Sequence, residues 1–178
     1  MVVLSPIMLL IAIAVKLTDR GPVFYRQVRV GLGGHRFTIV KFRTMNEEAE
    51  VHLGAIWSVP NHPRCTRIGL FLRRYGLDEL PQLWNILRGD MSLVGPRPER
   101  PEFVSEFRKE HPLYNVRHTV RCGLTGYAQI HGWRGYTSLE KRLMHDLYYV
   151  RNWSLALDAR IIALTLVRGW SERTRNGI

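Results

Sequence analysis

Asp78 and Glu79 stand side by side in the run Arg73-Arg74-Tyr75-Gly76-Leu77-Asp78-Glu79-Leu80-Pro81-Gln82, and Gly95-Pro96-Arg97-Pro98 follows them. Adjacent carboxylates bracketed by arginines can hold and attack a phosphate. The guanidinium fork matches phosphate oxygens, and an anion beside it can serve as nucleophile, base or metal ligand. The same acids also form an ordinary helix start, with Asp78 as N-cap, Glu79 at the positive end of the dipole and Pro81 in the first turn. The two readings are compatible, because a helix N-terminus attracts anions through its free N–H groups when cations offset the repulsion. Arg73, Arg74, Arg88 and Arg97 are near enough in sequence to do so. Arg97 is the most constrained of them: its flanking prolines fix φ on both sides and bias residue 97 toward extended geometry, so its guanidinium is presented at little ordering cost.

The elements that must position these groups have their own signals. Val23 to Val30 and Arg36 to Phe42 are rich in β-branched and aromatic residues, and Gly31-Leu32-Gly33-Gly34-His35 supplies the positive-φ positions of a hairpin turn. Those glycines join two strands, whereas dinucleotide-binding glycines lead from strand into helix. Lys41 and Arg43 fall on the second strand, where they fit either substrate support or alternating outward charge. Asn46 to Arg64 carries Gly54, Pro60 and Pro63, which predicts a short helix and then a mobile loop. From Thr66 a basic amphipathic helix leads to Asp78; its charged face suits an anionic membrane as well as plain solvent. Pro101 to Glu110 is a short helix with Phe103, Val104 and Phe107 on one side. Thr137 and Glu140 predict a capping box for a helix whose stripe is Leu139, Leu143, Met144, Leu147 and Val150. The final run, Leu155 to Trp170, is apolar but broken by Asp158 and Arg160, with Trp153 and Trp170 near its ends, as in a helix resting at an interface.

At 178 residues and 46% hydrophobic, the chain is long enough for one domain with its own core and too apolar to be disordered. Twenty-six Lys+Arg against 15 Asp+Glu leave a net charge of +11, so its partners are anions: nucleic acid, acidic lipid or a nucleotide diphosphate. Cys65 and Cys122 have no ligand-like spacing, which argues against a disulfide framework or a zinc site. The apolar start, Met1 to Val15, is shorter than the ~20 residues of a spanning helix and is interrupted by Ser5-Pro6. It lacks the basic n-region of a signal peptide. A buried core helix and a re-entrant hairpin both remain, and a serine beside a helix-bending proline favours the hairpin, since its hydroxyl can satisfy a freed carbonyl.

Taken in order and spacing, the segments resemble the bacterial sugar transferases, the monotopic polyprenyl-phosphate phosphoglycosyl transferases, nearly end to end. The residues that carry this are Ser5-Pro6, Gly21-Pro22-Val23-Phe24 with Arg26-Gln27, and Lys41-Phe42-Arg43-Thr44-Met45. They continue in Leu77 to Asn85, Arg88 to Pro98, Gly123 to Gln129 and Asp146 to Ser154. The resemblance implies an α+β domain, mostly helical, with a β-hairpin and an N-terminal re-entrant membrane helix, here truncated. Residues 1–20 would be the second limb of that helix, and residues 21–178 a catalytic domain on the cytoplasmic face of the bacterial inner membrane. The first limb is absent, so the chain is expected to be a fragment or to start late.

The resemblance also implies the reaction: transfer of a sugar 1-phosphate, of glucose type, from a nucleotide diphosphate sugar to polyprenyl (undecaprenyl) phosphate at the start of exopolysaccharide or other glycoconjugate synthesis. Asp78 would be the nucleophile that forms an aspartyl phosphosugar and Glu79 its base or metal partner. Mg²⁺ on Asp78 and Glu79 would offset the charge of two phosphates, and Arg73 with Arg97 would bind phosphate. Lys41, Arg43 and Gln129 would support the site, and Ser5 with Pro6 would make the kink. Membrane lipid is a further partner, and homo-oligomerisation is left open. His131, Tyr127 and Tyr75-Gly76 depart from the family pattern, which leaves the sugar open. Two rival classes are a membrane-surface scaffold without catalysis and a basic nucleic-acid-binding module. The second is disfavoured, because no binding motif accompanies the charge and the arginines are spread among acids and prolines.

Overall fold

The computed structural model describes residues 4–18, 21–46, 64–135 and 137–175. The short helix and loop expected after Asn46 therefore lie outside the described residues. The elements run α1 (Ser5–Thr18), β1 (Phe24–Val30), β2 (Arg36–Phe42), α2 (Arg67–Tyr75), α3 (Gln82–Leu87), β3 (Ser92–Val94), α4 (Pro101–Glu110), β4 (Gly123–Thr125), α5 (Tyr127–Ile130), α6 (Leu139–Arg151) and α7 (Leu155–Arg175). Three 3₁₀ turns, Leu32–Gly34, Leu77–Glu79 and Tyr114–Thr119, interrupt the series among the described residues. The class is α+β, with helices outweighing two small sheets.

The hairpin forms where it was expected. β1 and β2 pair antiparallel from Phe24 opposite Phe42 to Val30 opposite Arg36, and the turn places Gly33 and Gly34 at φ of 61° and 80°. β3 and β4 pair in parallel, Ser92 with Gly123 and Val94 with Thr125. That pairing sets the loop 95–98 beside the start of α5, and the backbones come so close that a Cβ on Gly126 would strike the Gly95 carbonyl. Glycine is required there by space.

One face of α1, Ile11 and Val15, is buried with Phe42 and Leu72, and Leu77 and Leu80 pack on the same cluster. The helix is thereby fixed to the segment that carries the two acids, while Leu9, Leu10, Ile13 and Leu17 remain exposed. Ser5 and Pro6 form its first turn, where a proline's missing N–H has no helical partner to lose. The re-entrant bend expected at this pair is not seen in the described residues, and no helix among them is long and apolar enough to cross a membrane.

α2 begins with Thr66, whose Oγ1 accepts from Gly69 N at 3.0 Å, and ends at Gly76 in the left-handed region at φ 68°. That reversal sends the chain directly into the turn Leu77–Glu79. Asp78 and Glu79 thus lie inside a 3₁₀ turn, and the N-cap reading is overturned: Pro81 occupies the cap position of α3, without a side-chain cap bond. A second expectation shifts by one residue. Ser138, not Thr137, caps α6 by accepting from Lys141 N at 3.3 Å, because Thr137 Oγ1 accepts from Arg142 instead. The buried face of α6 is also more ionic than its apolar stripe suggests. Arg142, Leu143, Asp146 and Tyr149 point inward, whereas Met144 is exposed. α7 buries Ile161 against Val94, Ile130 and Tyr149, and Asp158 within it accepts from Tyr149 Oη at 2.8 Å and Trp153 Nε1 at 3.2 Å.

Candidate active site

The structure brings together groups from three separate stretches around the 3₁₀ turn. Lys41, near the end of β2, donates from Nζ to Glu79 Oε1 at 2.7 Å. Arg97, from the loop after β3, donates from Nη2 to the same oxygen at 2.5 Å and from Nη1 to Oε2 at 3.3 Å. Arg73, in the last turn of α2, bonds Thr44 Oγ1 through Nε at 2.8 Å and lowers the proton affinity of Asp78 through its charge. Of the residues picked out from sequence, Asp78, Glu79, Arg73, Arg97 and Lys41 therefore share one site.

The two acids differ in what they are given. Burial alone would raise the pKa of Glu79, yet the charges of Arg97 and Lys41 and their hydrogen bonds outweigh it and hold the carboxyl well below the usual range. The exchange is mutual. Glu79 raises the pKa of Arg97 above its ordinary value, whereas Lys41 is pulled below its own by burial, which the attraction of Glu79 only partly offsets. Asp78 is buried and, among the described residues, makes no hydrogen bond or ion pair. Burial and the neighbouring Glu79 push its pKa up, against the opposing charges of Lys41, Arg73 and Arg97. The site thus pairs a neutralised carboxylate with one whose oxygens remain uncommitted.

Arg43 and Gln129 sit differently. Arg43 is buried just beyond β2, with its N–H on Val23 O at 2.9 Å. Gln129 donates to Leu124 O at 3.2 Å and hydrogen-bonds neither acid; it supports the turn at Gly126. Among the described residues no group of three or more His, Cys, Asp or Glu could hold a metal. The available oxygen donors are those of Asp78, because both Glu79 oxygens are engaged. That set suits a hard cation that takes the rest of its shell from phosphate and water. An open cavity of about 490 Å³, lined by Leu32, Gly33, Gly34, Arg108, Asn115, His118 and Thr119, includes neither acid.

Sequence reasoning missed the support behind Arg97. Arg117, buried in the 3₁₀ turn Tyr114–Thr119, donates from Nη2 to Arg97 O at 2.6 Å and from Nε to Asp146 Oδ2 at 3.0 Å. Glu99 accepts from Arg142 Nη1 at 2.7 Å and lies 3.7 Å from Arg29 Nη1. Asp146 stood in a family segment; Arg117 had no local signal.

The chain is similar in sequence to known proteins along nearly its whole length. A family model described as bacterial sugar transferase matches residues 1–172. A UDP-glucose:undecaprenyl-phosphate glucose-1-phosphate transferase of Xanthomonas campestris pv. campestris is 47% identical over 175 residues, covering 96% of this chain and 36% of the relative. A UDP-N-acetylgalactosamine-undecaprenyl-phosphate N-acetylgalactosaminephosphotransferase of Aeromonas hydrophila is 45% identical over 164 residues, 91% of this chain and 38% of the relative. The exopolysaccharide production protein PSS of Rhizobium leguminosarum bv. phaseoli is 42% identical over 182 residues, 98% of this chain and 90% of the relative. The chain spans little more than a third of the first two relatives and nearly the whole of the third. By the family model and by that near-complete overlap, this chain belongs to the bacterial sugar transferase family.

Proposed function

We propose that the chain transfers a sugar 1-phosphate from a UDP-sugar to undecaprenyl phosphate, through a phosphosugar held on Asp78. The observation that carries this is the contrast between the neighbours: Glu79 is bound by Lys41 and Arg97, while Asp78 is buried beside the same cations with no hydrogen bond of its own. An oxygen of Asp78 attacks the sugar-bearing phosphorus and the bond to the bridging oxygen breaks, so that UMP leaves with the electron pair. An oxygen of the lipid phosphate then attacks the same phosphorus, the acyl-phosphate bond breaks and the Asp78 carboxylate is restored. Splitting the transfer lets two bulky substrates use one phosphate site in succession. Arg97, Lys41 and Arg73 neutralise the phosphate as charge shifts between its oxygens.

Arg97 and Lys41 hold the Glu79 carboxyl well below the usual carboxylate range, which makes it a poor base. Its part is to fix Lys41 and Arg97 in place. Asp78 would hold Mg²⁺ through its uncommitted oxygens, and Glu79 only by loosening its cations; the ion supplies further neutralisation of the diphosphate. The exposed face of α1 would lie in the lipid of the inner membrane, with the remaining residues on the cytoplasmic side. Relatives named for glucose and for N-acetylgalactosamine leave the sugar to be found by offering both.

The test is a lipid-free incubation with UDP-sugar and Mg²⁺. The protein should release up to one equivalent of UMP and retain sugar phosphate on Asp78, then surrender the label when undecaprenyl phosphate is added. Asp78→Asn, which keeps the shape, should show neither release nor label. Turnover in that variant, or sequential kinetics without an adduct, overturns the covalent route. A membrane scaffold predicts no UMP release at all.

A further inference from the structure

Four successive carbonyls of the loop that carries Arg97 are held from outside it. Pro96 O accepts from Gly123 N at 3.0 Å, Arg97 O from Arg117 Nη2 at 2.6 Å, Pro98 O from Arg29 Nη1 at 3.0 Å, and Glu99 O from Val30 N at 3.0 Å. Two of these donors are backbone groups of strands or their neighbours, which any sequence could provide. The other two are buried or half-buried guanidinium groups. Arg117 is the more demanding, since only 2% of it is exposed and its charge needs the equally buried Asp146, at 2.8 Å from Nη2.

A buried ion pair of this kind gains little over well-packed apolar residues, so stability alone is a weak reason for its presence. Its geometry supplies a better one. The three nitrogens of Arg117 each have a partner: Nε takes Asp146, Nη1 takes Tyr114 Oη at 2.9 Å, and Nη2 takes both Asp146 and the carbonyl of residue 97. The ring of Tyr114 also lies under the guanidinium, 5.1 Å from ring centre to Cζ. The fork is fixed on two sides, and its third direction ends on the residue whose own guanidinium grips Glu79. Prolines at 96 and 98 leave the loop few backbone torsions with which to absorb a shift of that carbonyl.

We infer that Arg117, oriented by Asp146 and Tyr114, is a positioning residue for the transfer reaction: it holds the main chain of residue 97 so that the Arg97 side chain meets Glu79 and the phosphate in one geometry. The inference deepens the proposed function and rests on it for its kinetic consequences. Its structural consequence stands apart from them. The charged groups facing the two acids are Lys41 from β2, Arg73 from α2 and Arg97 from its loop, and only Arg97 is held through Arg117. Loosening it weakens one of the three cations.

The experiment uses the full chain in detergent. Arg117→Lys keeps the charge beside Asp146 but loses the fork. Tyr114→Phe keeps the ring and removes one bond to the fork. The first readout is the titration of Glu79, followed by carbon-13 NMR of labelled glutamate carboxyls and assigned with Glu79→Gln. The second is the pH dependence of the lipid-free release of UMP. In Arg117→Lys, Glu79 should titrate at higher pH than in the parent, the acid limb of the burst rate should move the same way, and the rate should fall roughly tenfold or more, as expected for a displaced binding group. Tyr114→Phe should give the same shifts at smaller size. A merely structural role for Arg117 would lower the folded fraction and leave both pH readouts unmoved; that result, in whichever variant folds, overturns the inference. If the parent releases no UMP from any UDP-sugar, the function fails, and a crystal structure of Arg117→Lys decides the positioning role: the Arg97 guanidinium should move off Glu79, and an unmoved Arg97 overturns the inference.

Discussion

Two ionic clusters meet at the segment Arg97 to Glu99, and they are completed differently. On one side Glu99 is paired with Arg142 and Arg29, and Asp146 is paired twice with Arg117, so every acid has its cation. On the other side Lys41 and Arg97 both go to Glu79, and Asp78, one residue away, receives only their field. Both clusters are built from carboxylates and basic side chains, the first largely buried and the second half-buried around a buried Asp78. Closure is what separates them: a closed network fixes register, whereas an open one keeps an anion desolvated and available for a bond that substrate alone completes.

Breaking the closed cluster should have the largest effect. Asp146→Asn keeps the volume but leaves Arg117 as a buried charge without its counter-ion, which typically costs about 3–5 kcal/mol. Denaturant unfolding of the full chain should show that loss. A change below about 1 kcal/mol would mean the pair is solvated in solution and the closed cluster is not closed.

The open cluster should respond in rate more than in stability. Glu79→Gln retains an oxygen for one cation but removes the charge that holds Lys41 and Arg97 together, so turnover should fall at least about a hundredfold, the scale of a lost electrostatic contact to a transferring group. The acid limb of turnover should follow the ionisation of Asp78, whose pKa lies above its ordinary value, and Glu79→Gln should move it to lower pH by removing a neighbouring negative charge. Turnover near the parent level would reduce Glu79 to a surface-like partner of two cations.

How much of this was legible in the sequence depends on separation along the chain. The hairpin, α4 and the acid pair followed from patterns within a dozen residues, and the two prolines around Arg97 marked it as constrained. The 3₁₀ geometry of Asp78 and Glu79 was not legible, because Pro81 fits a helix start as well as the turn before one; the left-handed Gly76 and the packing of Leu77 and Leu80 on α1 decided it. Lys41 reads from the sequence only as support, since a strand lysine is as easily solvated, and its partner lies 38 positions away. Arg117 and Asp146, 29 apart, were beyond local reasoning: a charged residue on an amphipathic helix is expected outside, and only the tertiary structure supplies the counter-charge that lets Asp146 face inward.

The smallest expected effect gives the sharpest test of the comparison, because the neighbouring acids should respond to pH with opposite sign. Asp78 has a folded-state pKa above its ordinary 3.8, so the folded protein binds that proton more tightly than the unfolded chain does. The ionised carboxyl then subtracts stability, by an amount that grows as pH rises from the ordinary value through the raised one and stays level above it. Glu79 is the reverse. Its depressed pKa contributes stability that is fully present above the ordinary 4.5 and is lost as pH falls through the depressed value. Asp78→Asn should therefore raise Tm at neutral pH, with the gain shrinking in acid, while Glu79→Gln should lower Tm at neutral pH, with the loss shrinking in acid. The two variants measured side by side across pH settle whether the open cluster is open. If Asp78→Asn lowers Tm at neutral pH, the Asp78 carboxylate is bound as firmly as Glu79, and it is not the group held in reserve for phosphorus.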